Sequence, residues 1–129
     1  MIKPGTIVAV DFDGTIVTHE YPKIGKPLQY CIETLHKITA AGGKIILYTM
    51  RSGEELAQAV DYLIDNDVEL WGVNKNPEQH TWTNSPKVYA NIYIDDAALG
   101  THTLHDPNFA ARPYVDWVII DALLFPEEY

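Results

Sequence analysis

Short, densely apolar runs alternate along the chain with longer stretches in which hydrophobic residues recur every three or four positions. Ile7-Val-Ala-Val10 has no polar residue and reads as a strand buried on both faces. From Leu28 the apolar positions fall at Leu28, Cys31, Ile32, Leu35 and Ile38, a helical spacing that Gly42-Gly43 would end. Lys44-Ile-Ile-Leu-Tyr-Thr49 predicts a second strand. Ser52 and Glu55 then stand as a capping box before a helix with apolar positions Leu56, Val60, Leu63 and Ile64. Val68 to Val73 and Ile92 to Ile94 predict two more strands, the first of them weaker. Pro113 to Phe125 is dense enough in apolar residues for a helix with proline in its first turn, or for a strand. His19 to Pro27, punctuated by Pro22, Gly25 and Pro27, reads as an exposed loop or small hairpin.

Strands alternating with helices define βαβ units and hence a parallel sheet. The expectation is an α/β, Rossmann-like open parallel sheet with helices on both faces, formed by residues 1–129 as one domain. Right-handed crossovers bring the carboxyl ends of all the strands to one edge.

Composition narrows the function. A net charge of -9 argues against non-specific binding to nucleic acid or to anionic membranes. No apolar run approaches membrane-spanning length, and no secretory leader is visible. The single cysteine, Cys31, excludes an internal disulfide and lies on an apolar helical face, where packing is its role. These features predict a cytoplasmic protein. The five histidines have no zinc-like spacing with cysteines or acids.

The chemistry concentrates at strand ends. The first strand runs into Asp11-Phe-Asp13-Gly14-Thr15. Two carboxylates this close repel unless a cation joins them, and oxygen ligands suit Mg²⁺. Gly14 permits a sharp turn after the second acid. The second strand ends at Thr49, before Arg51, where a hydroxyl and free N–H groups suit a phosphate oxygen. Ser85-Pro86 predicts the start of a short helix with Lys87 in its first turn, a place the helix dipole does not favour for a cation. The fourth strand runs into Asp95-Asp96.

In this order the four stretches resemble the motifs of the haloacid dehalogenase (HAD) superfamily, the aspartate-nucleophile phosphohydrolases. The resemblance spans Asp11 to Asp96, and the short intervening loops make the chain similar to members without a cap domain. It implies a Mg²⁺-dependent phosphomonoester hydrolase. Asp11 would be the nucleophile and Asp13 the proton donor, then base, with a pKa raised by the neighbouring acids and a main-chain carbonyl on the metal. Thr49, Lys87, Gly14 and Arg51 would hold the phosphate, with Lys75 competing for the lysine role. Asp11, Asp13, Asp96 and Asp95 would form the metal site, with Asp96 favoured over Asp95 for direct contact. The further acid that the family often carries after this pair is missing from Ala97 to Gly100. His80, Trp82, Trp71 and Tyr21 are candidates to line a substrate site. The expected substrate is a small nucleotide-like or sugar-like phosphate, with closure of the open site by substrate or by a second copy of the chain. The alternatives are a phosphoprotein phosphatase and a binding or regulatory module without turnover.

Overall fold

A computed structural model describes residues 1–129. The first half builds β1 (Ile7–Val10), α1 (Cys31–Ala40), β2 (Lys44–Leu47) and α2 (Gly53–Asp65). The second half builds β3 (Gly72–Val73), β4 (Ile92–Ile94), β5 (Thr103–Leu104), β6 (Tyr114–Val115) and α3 (Trp117–Leu124). Four strands form a parallel sheet in the order β3-β2-β1-β4, and β5 pairs with β6 as a separate antiparallel ladder. The α/β class read from the alternation of apolar runs and helical periods is therefore the class observed. No helix is long and apolar enough to cross a membrane.

The order of strands dictates where a ligand can sit. From β1 the chain steps outward through β2 to β3, then returns to the other side of β1 as β4. The direction of winding thus reverses between β1 and β4, and open α/β sheets bind ligands at such a switch point, beyond the carboxyl ends of the strands.

The two sheet faces are covered differently. Val8, Val10, Ile45 and Leu47 point to one face and pack with Leu35 and Ile38 of α1, Leu63 of α2, and Trp117 and Ile120 of α3 in the main core. The alternate residues Ala9 and Ile46 point to the other face, where Val88 and Ala90 cover them beside Trp71. Helices on both faces, as the alternation predicted, are thus not formed. A right-handed return from β3 to β4 must cross the second face. That segment carries Pro77 and Pro86 and no helical period, so it crosses as loop with a single 3₁₀ turn at Gln79–Thr81. Two buried amides hold it in place of helical hydrogen bonds. Gln79 donates to the carbonyls of Ser85 (3.0 Å) and Lys87 (2.7 Å) and accepts from the Tyr89 N–H (2.8 Å). Asn76 donates to the Tyr89 carbonyl at 3.0 Å.

Several boundaries move. α1 starts at Cys31 rather than Leu28, because Tyr30 before it sits in the left-handed region at φ 67°. Gly42, at φ 88°, ends it as expected. Ser52 occupies the cap position of α2, but its side chain makes no capping bond, so the expected capping box does not form. Of the four apolar positions expected on α2 only Leu63 is fully buried, and Ile64 is exposed. β3 keeps only Gly72–Val73 of the longer strand predicted from Val68. The helix expected after Ser85 is absent: Pro86 and Lys87 form a bend, with the Lys87 N–H on the Ser85 hydroxyl at 3.2 Å. The Pro113–Phe125 stretch splits into both of its alternatives. Tyr114–Val115 is strand, and α3 starts after Asp116, whose carboxylate accepts from the Val118 N–H. In the His19–Pro27 loop, Val17 bridges Pro27 in antiparallel fashion, which makes it a small hairpin.

Candidate functional site

Register brings the acids together. Val10 pairs with Ile94, and the Asp11 N–H donates to the Ile94 carbonyl at 2.9 Å. Asp11 and the Asp95-Asp96 pair therefore leave neighbouring strands at the same level, at the switch point. Asp11, Asp95 and Asp96 each offer a carboxylate oxygen, and these atoms lie within 4.8 Å of one another. No lysine or arginine forms an ion pair with any of the three. Burial pushes the Asp11 carboxyl up to about 8, aided by the charge of Asp95 and by a hydrogen bond and charge from Asp96, against one backbone N–H from Phe12.

Thr15 binds the cluster together. Its hydroxyl is buried and lies 3.1 Å from Asp11 Oδ2 and 3.3 Å from Asp96 Oδ1, and it accepts the Asp96 N–H at 3.1 Å. Thr15 belongs to the first motif, but its sequence position alone gives no sign that it bridges two of the acids. The turn that carries it is held from the far end of the chain. The Trp117 indole donates to the Thr15 carbonyl at 2.6 Å, and the Val115 N–H donates to the Gly14 carbonyl at 3.0 Å. Gly14 sits at φ 80°, and a Cβ there would come within 2.5 Å of Asp96 Oδ2. Its N–H donates to the Val17 carbonyl at 2.8 Å and is not free for a phosphate. Gly14 is thus the residue that lets Asp96 approach, in place of the phosphate contact expected of it.

Asp13 and Arg51 form a second unit. Arg51 is buried, and its guanidinium makes two parallel bonds of 2.8 Å to the Asp13 carboxylate. Its other N–H groups donate to the carbonyls of Pro22, Lys23 and Glu55. Every donor of Arg51 is therefore used inside the protein, and none is left for the substrate anion expected of it. The Asp13 side chain faces this clamp rather than the Asp11 cluster. Its main-chain carbonyl accepts no backbone hydrogen bond.

A cleft of about 500 Å³ opens over these groups, lined by Asp11, Asp13, Thr49, Asp95 and Asp96, with Tyr21 and Arg112 on its walls. Thr49 lies just past β2, its N–H on Asn74 Oδ1 at 2.7 Å and its hydroxyl oxygen accepting the Arg51 N–H at 3.1 Å. His19, one of the histidines without zinc-like spacing, also lines the cleft, with its ring 3.3 Å from an Arg112 nitrogen. Arg112 had no signal in the sequence; the β5–β6 ladder carries it to the cleft. Lys87 and Lys75 do not line it. Lys87 is exposed, with Nζ 5.9 Å from the Tyr93 ring centre, and Lys75 borders a small polar hollow beside Asn74 and His80. Trp82 and His80 also stand clear of it; Trp82 packs edge-on against Tyr89, centroids 5.6 Å apart. Trp71 is half-buried under Lys44. A larger cavity of about 700 Å³ lies elsewhere, between the start of α1, the start of α3 and β5–β6. It is mainly apolar and holds none of the converging acids, so the smaller cleft is the candidate site.

The donor set defines a class of site. Three carboxylates with no protein cation form a hard, anionic oxygen pocket that fits a divalent cation such as Mg²⁺ better than a soft metal. The protein is thus an α/β protein with an acidic cluster at the switch point of a parallel sheet. No protein-family model matches the chain, nor does any curated protein. Among solved structures it is similar to a conserved protein from Bacteroides thetaiotaomicron, at 33% identity and a TM-score of 0.77, over 95% of this chain and 92% of that one. At that identity and coverage the chain belongs to the same family as that protein.

Proposed function

We propose that the protein is a Mg²⁺-dependent phosphomonoester hydrolase of the HAD type, acting on small nucleotide-like or sugar-like phosphates. The observation that carries this reading is the meeting of Asp11, Asp95 and Asp96 at the switch point, beside a hydroxyl at Thr49. Bound Mg²⁺ would neutralise the cluster and the phosphoryl charge; Asp11, Asp96 and Asp95 would hold it, with the Asp13 carbonyl as a further oxygen ligand.

The chain's own residues have the following work in this scheme. A carboxylate oxygen of Asp11 attacks phosphorus, and the bond from phosphorus to the ester oxygen breaks, leaving an aspartyl-phosphate. Asp13 gives a proton to the departing oxygen. It then takes one from the water that attacks phosphorus, which returns Asp11 as carboxylate and releases phosphate. The Thr49 hydroxyl and Arg112 supply donors and positive charge to the phosphoryl oxygens. Thr15 fixes the rotamers of Asp11 and Asp96. For Asp13 to carry a proton, at least one of its bonds from Arg51 must loosen.

That clamp also favours a second reading, a metal- and phosphate-binding module without efficient turnover. The two readings separate in one assay. Phosphatase action predicts hydrolysis of 4-nitrophenyl phosphate with Mg²⁺ and none with EDTA, and weaker but measurable hydrolysis of an alkyl phosphate that needs the proton from Asp13. Hydrolysis of neither ester, with Mg²⁺ binding intact, supports the binding module.

A further inference from the structure

Beside the acidic cluster lies a feature that the proposed mechanism leaves unused. Asp11 and Asp95 belong to the loop-covered side of the sheet, because Val10, Phe12 and Ile94 on either side of them point into the helical core. By the same alternation Tyr48, two residues after Ile46, and Tyr93, paired with Ala9, lie on that side too. Their rings meet across β1 with centroids 6.4 Å apart and planes tilted by 55°. Ala9 between them is small enough to permit it. Tyr48 and Tyr93 remain 38% and 39% exposed, although Ala9 and Ile46 on the same sheet face are buried.

The surroundings of the ring pair are specific. Tyr48 directly precedes Thr49, and Tyr93 is two residues before Asp95, so the pair does not itself line the cleft but adjoins, along two strands, residues that do. The Tyr93 hydroxyl donates to the Val88 carbonyl at 2.6 Å and accepts the Ala90 N–H at 3.1 Å, which locks that ring in place. The Lys87 ammonium stands over its face. In a chain of net charge -9, a rigid aromatic ledge with a cation unpaired to any carboxylate is a place for an aromatic anion.

We propose that Tyr48 and Tyr93 form the subsite for the group esterified to the phosphate, and that this group carries a planar aromatic ring, as a nucleotide does, rather than being a bare sugar or alkyl chain. The inference rests on the reading of the cleft as a phosphate-ester site. Tyr48 and Tyr93 are specificity residues that stack on the leaving group, with Lys87 attracting the negative charge of the whole ester. This moves the stacking surface away from Trp82, which the sequence had suggested.

The test is calorimetric binding to the full chain carrying Asp11→Asn, with Mg²⁺, using 1-naphthyl phosphate, glycerol 2-phosphate and inorganic phosphate as probes. The expected result is tighter binding of the naphthyl ester than of the other two. Adding Tyr48→Ala should weaken the naphthyl ester alone, roughly five- to hundredfold from typical stacking strengths, whereas Tyr48→Phe should keep it. Lys87→Met gives an independent arm, with an expected loss of several-fold for the naphthyl ester, should the Tyr48→Ala protein fail to fold. Equal affinity for the three probes, or a naphthyl affinity indifferent to both changes, overturns the proposal. The underlying reading is judged separately, by turnover in the wild-type chain. Without turnover that reading falls, while the binding series still decides the subsite. With turnover but equal KM changes for naphthyl and glycerol esters in Tyr48→Ala, the subsite falls and the reading stands.

Discussion

Two carboxylates of this protein, Asp121 and Asp11, are held in opposite ways. Asp121, buried on α3, accepts from the Thr34 hydroxyl at 2.8 Å, from the Lys37 ammonium at 2.9 and 3.1 Å, and from the Tyr129 hydroxyl at 2.5 Å. Burial alone would raise its pKa, but the bonds from Tyr129, Lys37 and Thr34 hold it below the usual carboxylate value. Asp11 has two acids and a hydroxyl for neighbours, and its pKa is pushed up to about 8. The first site is complete as the chain folds, and it ties α1 to the C-terminal helix. The second is left incomplete, with like charges converging where a cation would complete them. Sites that carry function commonly keep such unfavourable arrangements, which the rest of the fold must tolerate.

The contrast yields predictions that run from the largest effect to the smallest. Asp11→Asn should reduce hydrolysis of an aryl phosphate by more than about a hundredfold, since the amide is close in shape but is no nucleophile. The same change removes the cost of burying a carboxyl beside two other acids, so the variant should melt higher than wild type in EDTA at neutral pH. Retained activity, or a lower melting point, would break the contrast at its central residue.

Asp96→Ala should weaken Mg²⁺ binding by on the order of ten- to a hundredfold. Asp95→Ala should weaken it less, because Asp96 is the member that Thr15 fixes by two contacts. A Mg²⁺ titration with the reverse ranking would make Asp95 the principal ligand.

Asp121→Ala should cost about 1–3 kcal/mol of stability, the range for leaving buried partners unsatisfied, with little change in Mg²⁺ affinity. The sign of its pH dependence follows from its lowered pKa. The contribution of Asp121 is fully present above the unfolded value of about 3.9 and is lost as pH falls through the lower native one. Acid unfolding of Asp121→Asn should therefore be shallower than that of wild type. An acid limb of unchanged steepness would count against the carboxylate network.

Trp117→Phe links the two regions, because α3 reaches the Thr15 carbonyl through the indole N–H. It should destabilise by about 1 kcal/mol, the typical net worth of one hydrogen bond, plus lost packing. It should also weaken Mg²⁺ binding slightly by loosening the turn, and an unchanged Mg²⁺ affinity would confine Trp117 to a packing role.

The parts of this architecture that were legible in the sequence are those set by local pattern. Buried parallel strands show as unbroken apolar runs, so β1, β2 and β4 could be placed, and with them Asp11, Thr49, Asp95 and Asp96 at their ends. What could not be read depends on contacts between distant residues. Arg51 looked like a free cation because its partners Asp13, Pro22 and Lys23 come from another loop. The bare second face of the sheet was hidden because βαβ alternation does not say that one crossover lacks its helix. Ser85-Pro86 has the local signature of a helix start, but Gln79 and Asn76 hold that loop extended. Thr15 and Gly14 stood inside the motif, yet their roles toward Asp96 appear only once β1 and β4 are side by side. The Tyr48–Tyr93 contact likewise requires the strand order.

The central claim is that Asp11 takes the phosphoryl group when a cation completes the cluster. Its most direct measurement is the mass of the wild-type chain after mixing with 4-nitrophenyl phosphate and rapid acid quenching, with peptide mapping, in Mg²⁺ and in EDTA. The account predicts one added phosphoryl group on the peptide containing Asp11, present with Mg²⁺, absent with EDTA and absent in Asp11→Asn. An unmodified chain in Mg²⁺ while the ester is being hydrolysed, or a phosphoryl group on any other residue, would contradict it.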